Sequence, residues 1–269
     1  MGFAYSSPTI ISNTIRNNRV GIEQGSGEDG SGGGIAIDCC YAAPLIENNL
    51  ILQNEVGLHG GGIYQEQTLA QVRHNVIEEN KAVVGGGIAS ALYDAAVIEN
   101  NVIADNTAER SGGGIWGVVF DRVVGNVIAG NTAGGNGGAL ECSSGTPYLA
   151  NNLIVANEAG GRAGGLAAFS CQADMVHNTL VGNREGNPWQ DSGAMYVIYG
   201  SVVTVTNSII WDNAEKREIL VDGATLTVTT PMSREGGRAL ATSPSTRCSW
   251  TRPTATFISG SGPRTSMPE

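Results

Sequence analysis

The chain has 269 residues, of which 41% are apolar, so it can bury a core and is not disordered over most of its length. It contains 39 glycines and 9 prolines without a three-residue glycine period, which excludes collagen. Residues 1–229 carry 10 basic and 23 acidic residues (−13) and residues 230–269 carry 5 and 2 (+3), giving the net charge of −10. An acidic body repels phosphates, so nucleic acid and anionic membranes are poor partners, whereas divalent cations and neutral sugars remain compatible.

Asparagine recurs along the first 213 residues at a nearly constant spacing. Similar strings such as "NNLILQN", "HNVIEEN" and "NNVIADN" place an anchor asparagine every 25 or 26 residues in the central part of the chain. A second asparagine follows five residues later in most copies. The anchors are Asn13, Asn49, Asn75, Asn101, Asn126, Asn152, Asn178 and Asn207. This period indicates one structural unit that stacks on copies of itself.

Three aliphatic columns accompany each repeat. One lies three residues before the anchor and one lies two residues after it, ending at Ile209. The third follows the glycine strings "GGGI", "GGAL" and "GGLA" and comprises Ile35, Ile63, Ile88, Ile115, Ala139 and Leu166. Glycine and β-branched residues disfavour helix, and the apolar runs are strand-length. We therefore predict an all-β fold, a right-handed parallel β-helix over residues 1–229 with about eight coils of ~26 residues and three strands per coil.

The asparagines have a structural interpretation. The residue before each anchor is mostly Asn, Gly or His, types that tolerate a positive φ, so we predict a corner there that includes His74 and His177. We predict a second corner at the second asparagine, for example Asn106. Sugar binding by the anchors is the alternative to an asparagine ladder, but a ladder uses the amide donors and acceptors. The predicted ladder contains Asn49, Asn75, Asn101, Asn126, Asn152 and Asn178.

Two other motifs point to architecture and not to a cofactor. The glycine strings lack the GK[ST] ending of a phosphate-binding loop and recur in six coils, so we predict no phosphate site. The five cysteines form no CxxC pair, which disfavours zinc, and Cys142–Cys171 is the one disulfide that we consider. We predict no metal and no cofactor.

The repeat resembles the right-handed β-helix proteins of the pectate-lyase-like superfamily. The strings "GGGI" and "GGAL", with "ILQN", "IEEN" and "IADN", are most similar to the GGAI and FxxN motifs of polymorphic outer-membrane-protein repeats. The resemblance covers about residues 8–213 and implies an extracellular or cell-surface location, although "MGFAYSSPTIISN" does not look like a signal peptide. It implies polysaccharides or surface glycans and proteins as partners, and no membrane insertion by this segment.

Both ends depart from this pattern. Because the chain starts inside its first coil, we expect that an N-terminal portion is missing. Residues 230–269 abandon the repeat and are rich in Arg, Ser, Thr and Pro, which predicts an irregular or disordered tail. Codons can be chosen for these residues such that a frame offset by two nucleotides continues a β-helix pattern, so a frameshift is the second interpretation of the tail.

The candidate site lies after the third apolar column. Asp38 and Glu66 each follow an inward isoleucine by three residues, so their carboxylates would face one surface on adjacent coils. They are the candidate catalytic residues. The alternative interpretation is that both are ordinary solvated acids on the surface of the sheet. The candidate ligand-binding residues are Tyr64, Trp116, Asp94 and Glu141. No arginine aligns with Asp38 and Glu66, whereas other acids, such as Glu47 beside Arg73, fit a cross-coil charge ladder.

Two functions remain open, beside a third interpretation in which the truncated chain has no independent function and aggregates through its exposed coil ends. The first is a secreted or surface β-helix that is structural, adhesive or glycan-binding and has no catalytic activity of its own. The alternative is a carbohydrate-active enzyme, a polysaccharide lyase, hydrolase or epimerase that uses the parallel-sheet face, with calcium as a cofactor only in that case.

Overall fold

The chain forms a parallel β-helix in which four short strands make one coil. The computed structural model describes residues 7–21, 30–38, 43–91, 96–119, 121–186, 192–213 and 218–229, and the backbone of three further strands within 232–251. Equivalent strands of successive coils pair in parallel and build four sheets of ten, nine, seven and nine strands. Seven coils have a strand in every sheet, and the next two each have strands in the first, second and fourth sheets among the described residues.

The first and second sheets run side by side along the whole solenoid. The first sheet consists of β1 (Thr9–Ile11), β5 (Leu45–Glu47), β9 (Gln71–Arg73), β13 (Val97–Glu99), β17 (Arg122–Val124), β21 (Tyr148–Ala150), β25 (Gln172–Val176), β29 (Val202–Thr206), β32 (Thr225–Thr229) and β35 (Arg247–Thr251). The second sheet consists of β2 (Thr14–Arg16), β6 (Leu50–Leu52), β10 (Val76–Glu78), β14 (Val102–Ala104), β18 (Val127–Ala129), β22 (Leu153–Val155), β26 (Thr179–Val181), β30 (Ile209–Trp211) and β33 (Met232–Ser233).

The third and fourth sheets complete each coil. The third sheet consists of β3 (Arg19–Val20), β7 (Glu55–Val56), β11 (Lys81–Val84), β15 (Thr107–Ser111), β19 (Thr132–Ala133), β23 (Glu158–Ala159) and β27 (Arg184–Glu185). The fourth sheet consists of β4 (Ile35–Asp38), β8 (Ile63–Glu66), β12 (Ile88–Ser90), β16 (Ile115–Gly117), β20 (Leu140–Cys142), β24 (Leu166–Phe169), β28 (Met195–Ile198), β31 (Ile219–Asp222) and β34 (Leu240–Ala241).

The predicted aliphatic columns form the core. In the coil of residues 97–117, the inward residues Ile98, Ile103 and Ile115 are all fully buried. Each pairs in register with an apolar residue of the next coil, as in Ile103 with Ile128. Stacking of like residues at about 4.8 Å per coil gives one continuous hydrophobic core.

Each coil has four strands and not the predicted three, and the strand that was not predicted belongs to the third sheet. Its inward column is made of small residues that are almost completely buried: Val56, Ala82, Ala108, Ala133 and Ala159. Alanine contributes little apolar area, so this column does not stand out in the sequence as a strand. The backbone hydrogen bonds of the sheet, and not side-chain bulk, define it.

The asparagine ladder is confirmed. In Asn101, which is 1% exposed, the backbone N–H and Nδ2 donate to Asn126 Oδ1 at 2.9 and 3.1 Å. The same Nδ2 also donates to the Val72 carbonyl at 2.8 Å, so both amide hydrogens are used. Equivalent bonds connect the anchors from Asn13 to Asn178. The ladder satisfies polar groups that would otherwise be buried without partners.

The second asparagines form another ladder and not the predicted corner. Asn106 is fully buried, and its backbone N–H and Nδ2 each donate to Asn131 Oδ1 at 3.0 Å. The corner residue is its neighbour Asp105, with a φ of 53°. This second ladder ends at Asn213, whose Nδ2 donates to a carboxylate oxygen of Glu218 at 2.8 Å.

The last anchor was assigned one residue too early. Asn207 has a φ of 48° and occupies the corner, whereas Ser208 accepts the bond from the backbone N–H of Asn178 at 3.1 Å. Accordingly, Ile210 is 2% exposed and points into the core, while Ile209 is 39% exposed. The side-chain period of two in a strand makes a one-residue shift exchange the two faces.

A similar shift affects the glycine column. Leu140, and not Ala139, pairs in register with Ile115 and Leu166. Ala139 occupies the place of the last glycine, next to Gly114. Both residues are completely buried, so the apolar pattern alone does not separate them.

The other turn predictions are confirmed. The corner before each anchor has a left-handed φ, including 55° at both His74 and His177. In the glycine strings, Gly112 has a φ of +65°, and a Cβ on Gly113 would lie 2.4 Å from the Gly138 carbonyl oxygen. The glycines therefore permit a tight turn and a close approach between coils.

The considered disulfide is present between Cys142 and Cys171. Their Cα atoms are 6.1 Å apart, and the two cysteines are separated by 29 residues, about one coil. Both are almost completely buried. The bond joins the fourth-sheet strand β20 to the residue directly before β25, on the next coil.

Candidate functional site

The outward row of the fourth sheet differs chemically from coil to coil. Because strand side chains alternate between faces, the residue after each inward aliphatic points outward. In register, this row reads Ala36, Tyr64, Ala89, Trp116, Glu141, Ala167, Tyr196 and Leu220. We call these eight residues the recognition row. Aromatic, carboxylate and small residues alternate here, whereas the ladders repeat one residue type.

An imidazole completes an aromatic stack on this row. His59, in the turn before the glycines of its coil, has its ring centroid 5.9 Å from that of Tyr64 and 5.7 Å from that of Trp116. The interplanar angles are 20° and 14°. Tyr64 and Trp116 belong to coils two apart, and the coil between them contributes Ala89, whose small side chain leaves room for the histidine ring.

The electrostatics of His59 favour its neutral form. Desolvation lowers the pKa of His59, and the nearby Glu66 carboxylate partly opposes this effect. One ring nitrogen, Nδ1, lies 3.3 Å from Ser31 Oγ. His59 is therefore an uncharged aromatic surface at neutral pH.

The two candidate catalytic acids lie on adjacent coils, as predicted. Asp38 pairs in register with Glu66, and both point to the outer face beside the recognition row. The Tyr64 hydroxyl donates a hydrogen bond to a Glu66 carboxylate oxygen. Asp94 lies outside the described residues, so its predicted role stays a prediction.

Glu141 is the most enclosed acid of the site. It is 7% exposed, and Oε1 accepts hydrogen bonds from Trp116 Nε1 at 3.2 Å and Ser143 Oγ at 3.3 Å. Oε2 is buried and has no hydrogen-bond partner. Burial raises the pKa of Glu141, and the polar side chains of Ser111, Ser143 and Trp116 partly offset this increase. The carboxyl group is therefore enclosed by the protein and is held through Oε1.

The opposite end of the row is aromatic and carries a cation. The Arg162 guanidinium lies 4.6 Å from the centroid of the Tyr196 ring. Phe169 packs edge-on against Tyr196 at 5.9 Å between centroids, and 6.0 Å from the exposed Tyr199. Desolvation raises the pKa of the Tyr196 phenol, while the Arg162 charge opposes the shift.

The spacing of the acids limits the chemistry. Asp38 and Glu66 are one coil apart, but Glu66 and Glu141 are three coils apart, about 14 Å along the axis at about 4.8 Å per coil. That exceeds the ~5–9.5 Å between the carboxyl groups of glycosidases. Among the described residues, no group of three His, Cys, Asp or Glu side chains could hold a metal ion.

Sequence reasoning found part of this site. Tyr64, Glu66, Trp116 and Glu141 all come together as predicted residues of one surface. It missed His59, Arg162 and Tyr196. His59 and Arg162 precede the turn into the fourth sheet, and a repeat alignment of the "GGG" strings would have placed them in one column with Ser31 and Ser111.

Comparisons with models of protein families, with curated proteins and with solved structures found no match to this chain. Within the described ranges, no helix is long and apolar enough to span a membrane.

Proposed function

We propose that this chain is an extracellular or cell-surface β-helix that binds glycans on the outer face of its fourth sheet. The observation that carries the proposal is the concentration of aromatic rings and carboxylates along the recognition row and its neighbours. Ligand sites typically combine aromatic surfaces with a few placed polar groups. Carboxylates accept hydrogen bonds from hydroxyls, and rings pack against the apolar faces of sugars.

The shape of the row suits a polymeric ligand. The residues from Tyr64 to Tyr196 span five coil steps, about 24 Å at about 4.8 Å per coil. Within this span Tyr64, Glu141 and Tyr196 are only 8%, 7% and 7% exposed, so an extended chain would contact chiefly the half-buried rings of His59 and Trp116 and the exposed Tyr199. The resemblance of the repeat to pectate-lyase-like and outer-membrane-protein repeats supports the same class of ligand.

The disulfide supports the proposed location. Structural disulfides persist mainly in oxidising compartments, such as the periplasm and the cell exterior. The buried Cys142–Cys171 bond ties β20, the strand that carries Glu141, to the next coil.

The experiment compares two tryptophans on different sheets. Trp116→Ala removes a ring of the recognition row, and the matched control Trp211→Ala removes a 45% exposed tryptophan from the second sheet. On a panel of neutral, acidic and amino polysaccharides, we expect the Trp116 variant to lose about 1–3 kcal/mol of binding free energy and the control to bind as the wild type. Thermal unfolding of both variants verifies the fold. Equal binding by all three proteins, or no binding to any glycan, refutes the proposal.

Catalysis on a polysaccharide is a second candidate because of the raised pKa of Glu141. A carboxyl group protonated above its ordinary range can act as a general acid. Glu141 lies too far along the axis from Glu66 to act with it on one glycosidic bond, so Asp38 and Glu66, which pair in register on adjacent coils, form the carboxylate pair of this candidate, with calcium as the cofactor to add in the assay. Cleavage of any polysaccharide that is lost in Asp38→Ala, Glu66→Ala or Glu141→Gln would favour this candidate, and no turnover with or without calcium would exclude it.

A further inference from the structure

We infer that the chain forms a dimer in which the outer faces of two second sheets pack against each other. The inference concerns a different surface from the recognition row and does not depend on glycan binding, because the second and fourth sheets are not adjacent within a coil. Three observations carry it: the composition of the second sheet, the size of its outer face, and the regular spacing of its strands.

The outer face of the second sheet is almost entirely apolar. From β6 to β30, its seven strands read LIL, VIE, VIA, VIA, LIV, TLV and IIW. The middle residue of each strand is buried in the core, so the first and third residues point outward. Twelve of these fourteen outward residues are apolar, and the exceptions are Glu78 and Thr179. We call this surface the apolar face.

The apolar face is open to solvent in the single chain and carries little charge. Leu50 and Leu153 are 43% and 40% exposed. Over its seven strands, the only charged outward residue is Glu78. On the neighbouring first sheet, by contrast, Arg73 pairs with Glu47 across coils at 3.0 Å. A contiguous apolar surface larger than a few hundred Å² marks an interaction site on a soluble protein.

Exposed polar residues border the apolar face along both edges. The corner before the second sheet contributes Asn100 and His177, and the corner after it contributes Gln53, Glu79 and Asp105. An apolar centre with a polar rim is the usual anatomy of a protein–protein interface. The rim can stay in contact with water while the apolar rows between its two edges are covered.

The size of the apolar face suits a dimer. Its seven strands extend over six coil steps, about 29 Å at about 4.8 Å per coil. Each strand with its two corner residues is about 16 Å wide, so the face covers about 500 Å² per chain. Two such faces bury about 1,000 Å² in total, which meets the lower limit for a specific interface. We expect a dissociation constant in the micromolar range.

A second copy of the chain matches the apolar face better than other occupants do. The strands pair in register, so the outward side chains form rows at equal intervals along the rod. Side chains of two packed sheets interdigitate, and a second copy has the same interval over the whole length, which a lipid surface lacks. Two chains of net charge −10 repel each other, and the apolar face adds little to that repulsion.

Sedimentation equilibrium of the full chain over about 1–100 µM tests the inference. We expect a monomer–dimer equilibrium that strengthens as salt rises from about 0.05 M to about 0.5 M, since salt screens the repulsion between two acidic chains. Leu153→Glu places a charge in the apolar face of both copies and should raise the dissociation constant on the order of 100-fold, about tenfold for each copy. The matched control Val202→Glu makes the same charge change at a 45% exposed residue of the first sheet and should dimerise like the wild type.

The other outcomes refute the inference. They are a wild type that stays monomeric, a dimer that survives Leu153→Glu, and equal weakening by Leu153→Glu and Val202→Glu. Long assemblies that neither substitution affects would show contact through the coil ends. A monomer that binds neutral lipid vesicles, and loses this binding in Leu153→Glu, would assign the apolar face to a lipid surface. Thermal unfolding verifies the fold, and if Leu153→Glu is less stable than the wild type, Leu50→Glu provides the same comparison.

Discussion

The corner between the first and second sheets and the recognition row of the fourth sheet belong to the same coils but follow different rules. At the corner, each of the five coils from Asn49 to Asn152 contributes a buried asparagine that bonds to the asparagine of the next coil. On the recognition row, successive coils contribute Tyr64, Ala89, Trp116 and Glu141. A residue that bonds to its own counterpart must be repeated, whereas a residue that contacts something else is free to vary.

This difference separates stability from recognition along the chain. The ladder residues are almost completely buried and fully bonded, so they have no groups left for a ligand. On the row, the stacked rings of Trp116 and His59 remain partly exposed. Variation between repeats thus indicates the candidate site better than the shared motif does.

Breaking a ladder should have the largest effect. Asn101→Ala removes the Nδ2 bonds to Asn126 and to the Val72 carbonyl, and it leaves the backbone N–H of Asn75 without an acceptor. At about 1–3 kcal/mol per unsatisfied buried group, we expect a loss of roughly 3–5 kcal/mol in the free energy of unfolding. Denaturant titration measures it. The adjacent corner residue provides the control, since Asn100→Ala should cost only about 1 kcal/mol for its left-handed φ. Equal losses would contradict the assigned roles.

Removal of the disulfide should cause the second-largest loss in the free energy of unfolding. The Cys142→Ala/Cys171→Ala double variant releases a 29-residue loop, and we expect about 2–4 kcal/mol lower stability from the larger entropy of the unfolded chain. Unfolding curves of the wild type with and without a reductant should reproduce this difference. A double variant as stable as the wild type would show that the coils of the fourth sheet are held by packing alone.

The end of the second ladder should have a smaller effect. The Glu218 carboxylate accepts bonds from the backbone N–H and Nδ2 of Asn213. We expect Glu218→Ala to lower the free energy of unfolding by about 1–2 kcal/mol, since bonds to a charged acceptor are stronger than neutral ones. Amide hydrogen exchange should rise at Asn213 before it rises in the central coils. Unchanged exchange there would refute the capping role.

The pH dependence of the recognition row should be the smallest effect. Because the pKa of Glu141 is raised in the folded state, its stabilising contribution is present below the unfolded pKa of about 4.3 and is lost as pH rises through the folded value. Glu141→Gln should therefore gain stability relative to the wild type between acidic and neutral pH, by on the order of 1 kcal/mol. Thermal unfolding at several pH values measures the gain. A difference that does not vary with pH would mean that Glu141 does not titrate in this range.

His59 contributes in the opposite direction and must be separated from Glu141. Its pKa is lowered in the folded state, so its contribution is present above the unfolded value of about 6.5 and is lost as pH falls through the folded value. A His59→Gln variant measured at the same pH values isolates the contribution of His59. The wild-type pH profile contains the contributions of both His59 and Glu141.

The sequence predicted the repeated features well and the unrepeated ones less well. Ile46, Ile51 and Ile63 recur at fixed distances from asparagine and glycine, so their inward direction was evident. The third sheet was missed because Ala82 and Ala108 are too small to form a visible apolar pattern. Asn207 was misassigned because "TNSIIWDN" contains two adjacent isoleucines and two polar residues that fit the anchor position.

The site was partly predictable for a physical reason. Register places Trp116 next to Glu141 once the period is known, because parallel pairing is regular. The contact between His59 and Trp116 bridges 57 positions of sequence and two coils, and it depends on the small Ala89 between them. The directions of long side chains across coils do not follow from the period.

The two ladders divide each coil into an arc of fixed length and an arc of adjustable length. The paired asparagines are five residues apart in every complete coil, as at Asn101 and Asn106, while the distance to the next coil varies from 25 to 36 residues. All insertions therefore fall outside the second sheet, on the arc that contains the third, fourth and first sheets. New loops could be grafted there without changing the asparagine spacing, and whole added coils would lengthen the rod in steps of about 4.8 Å.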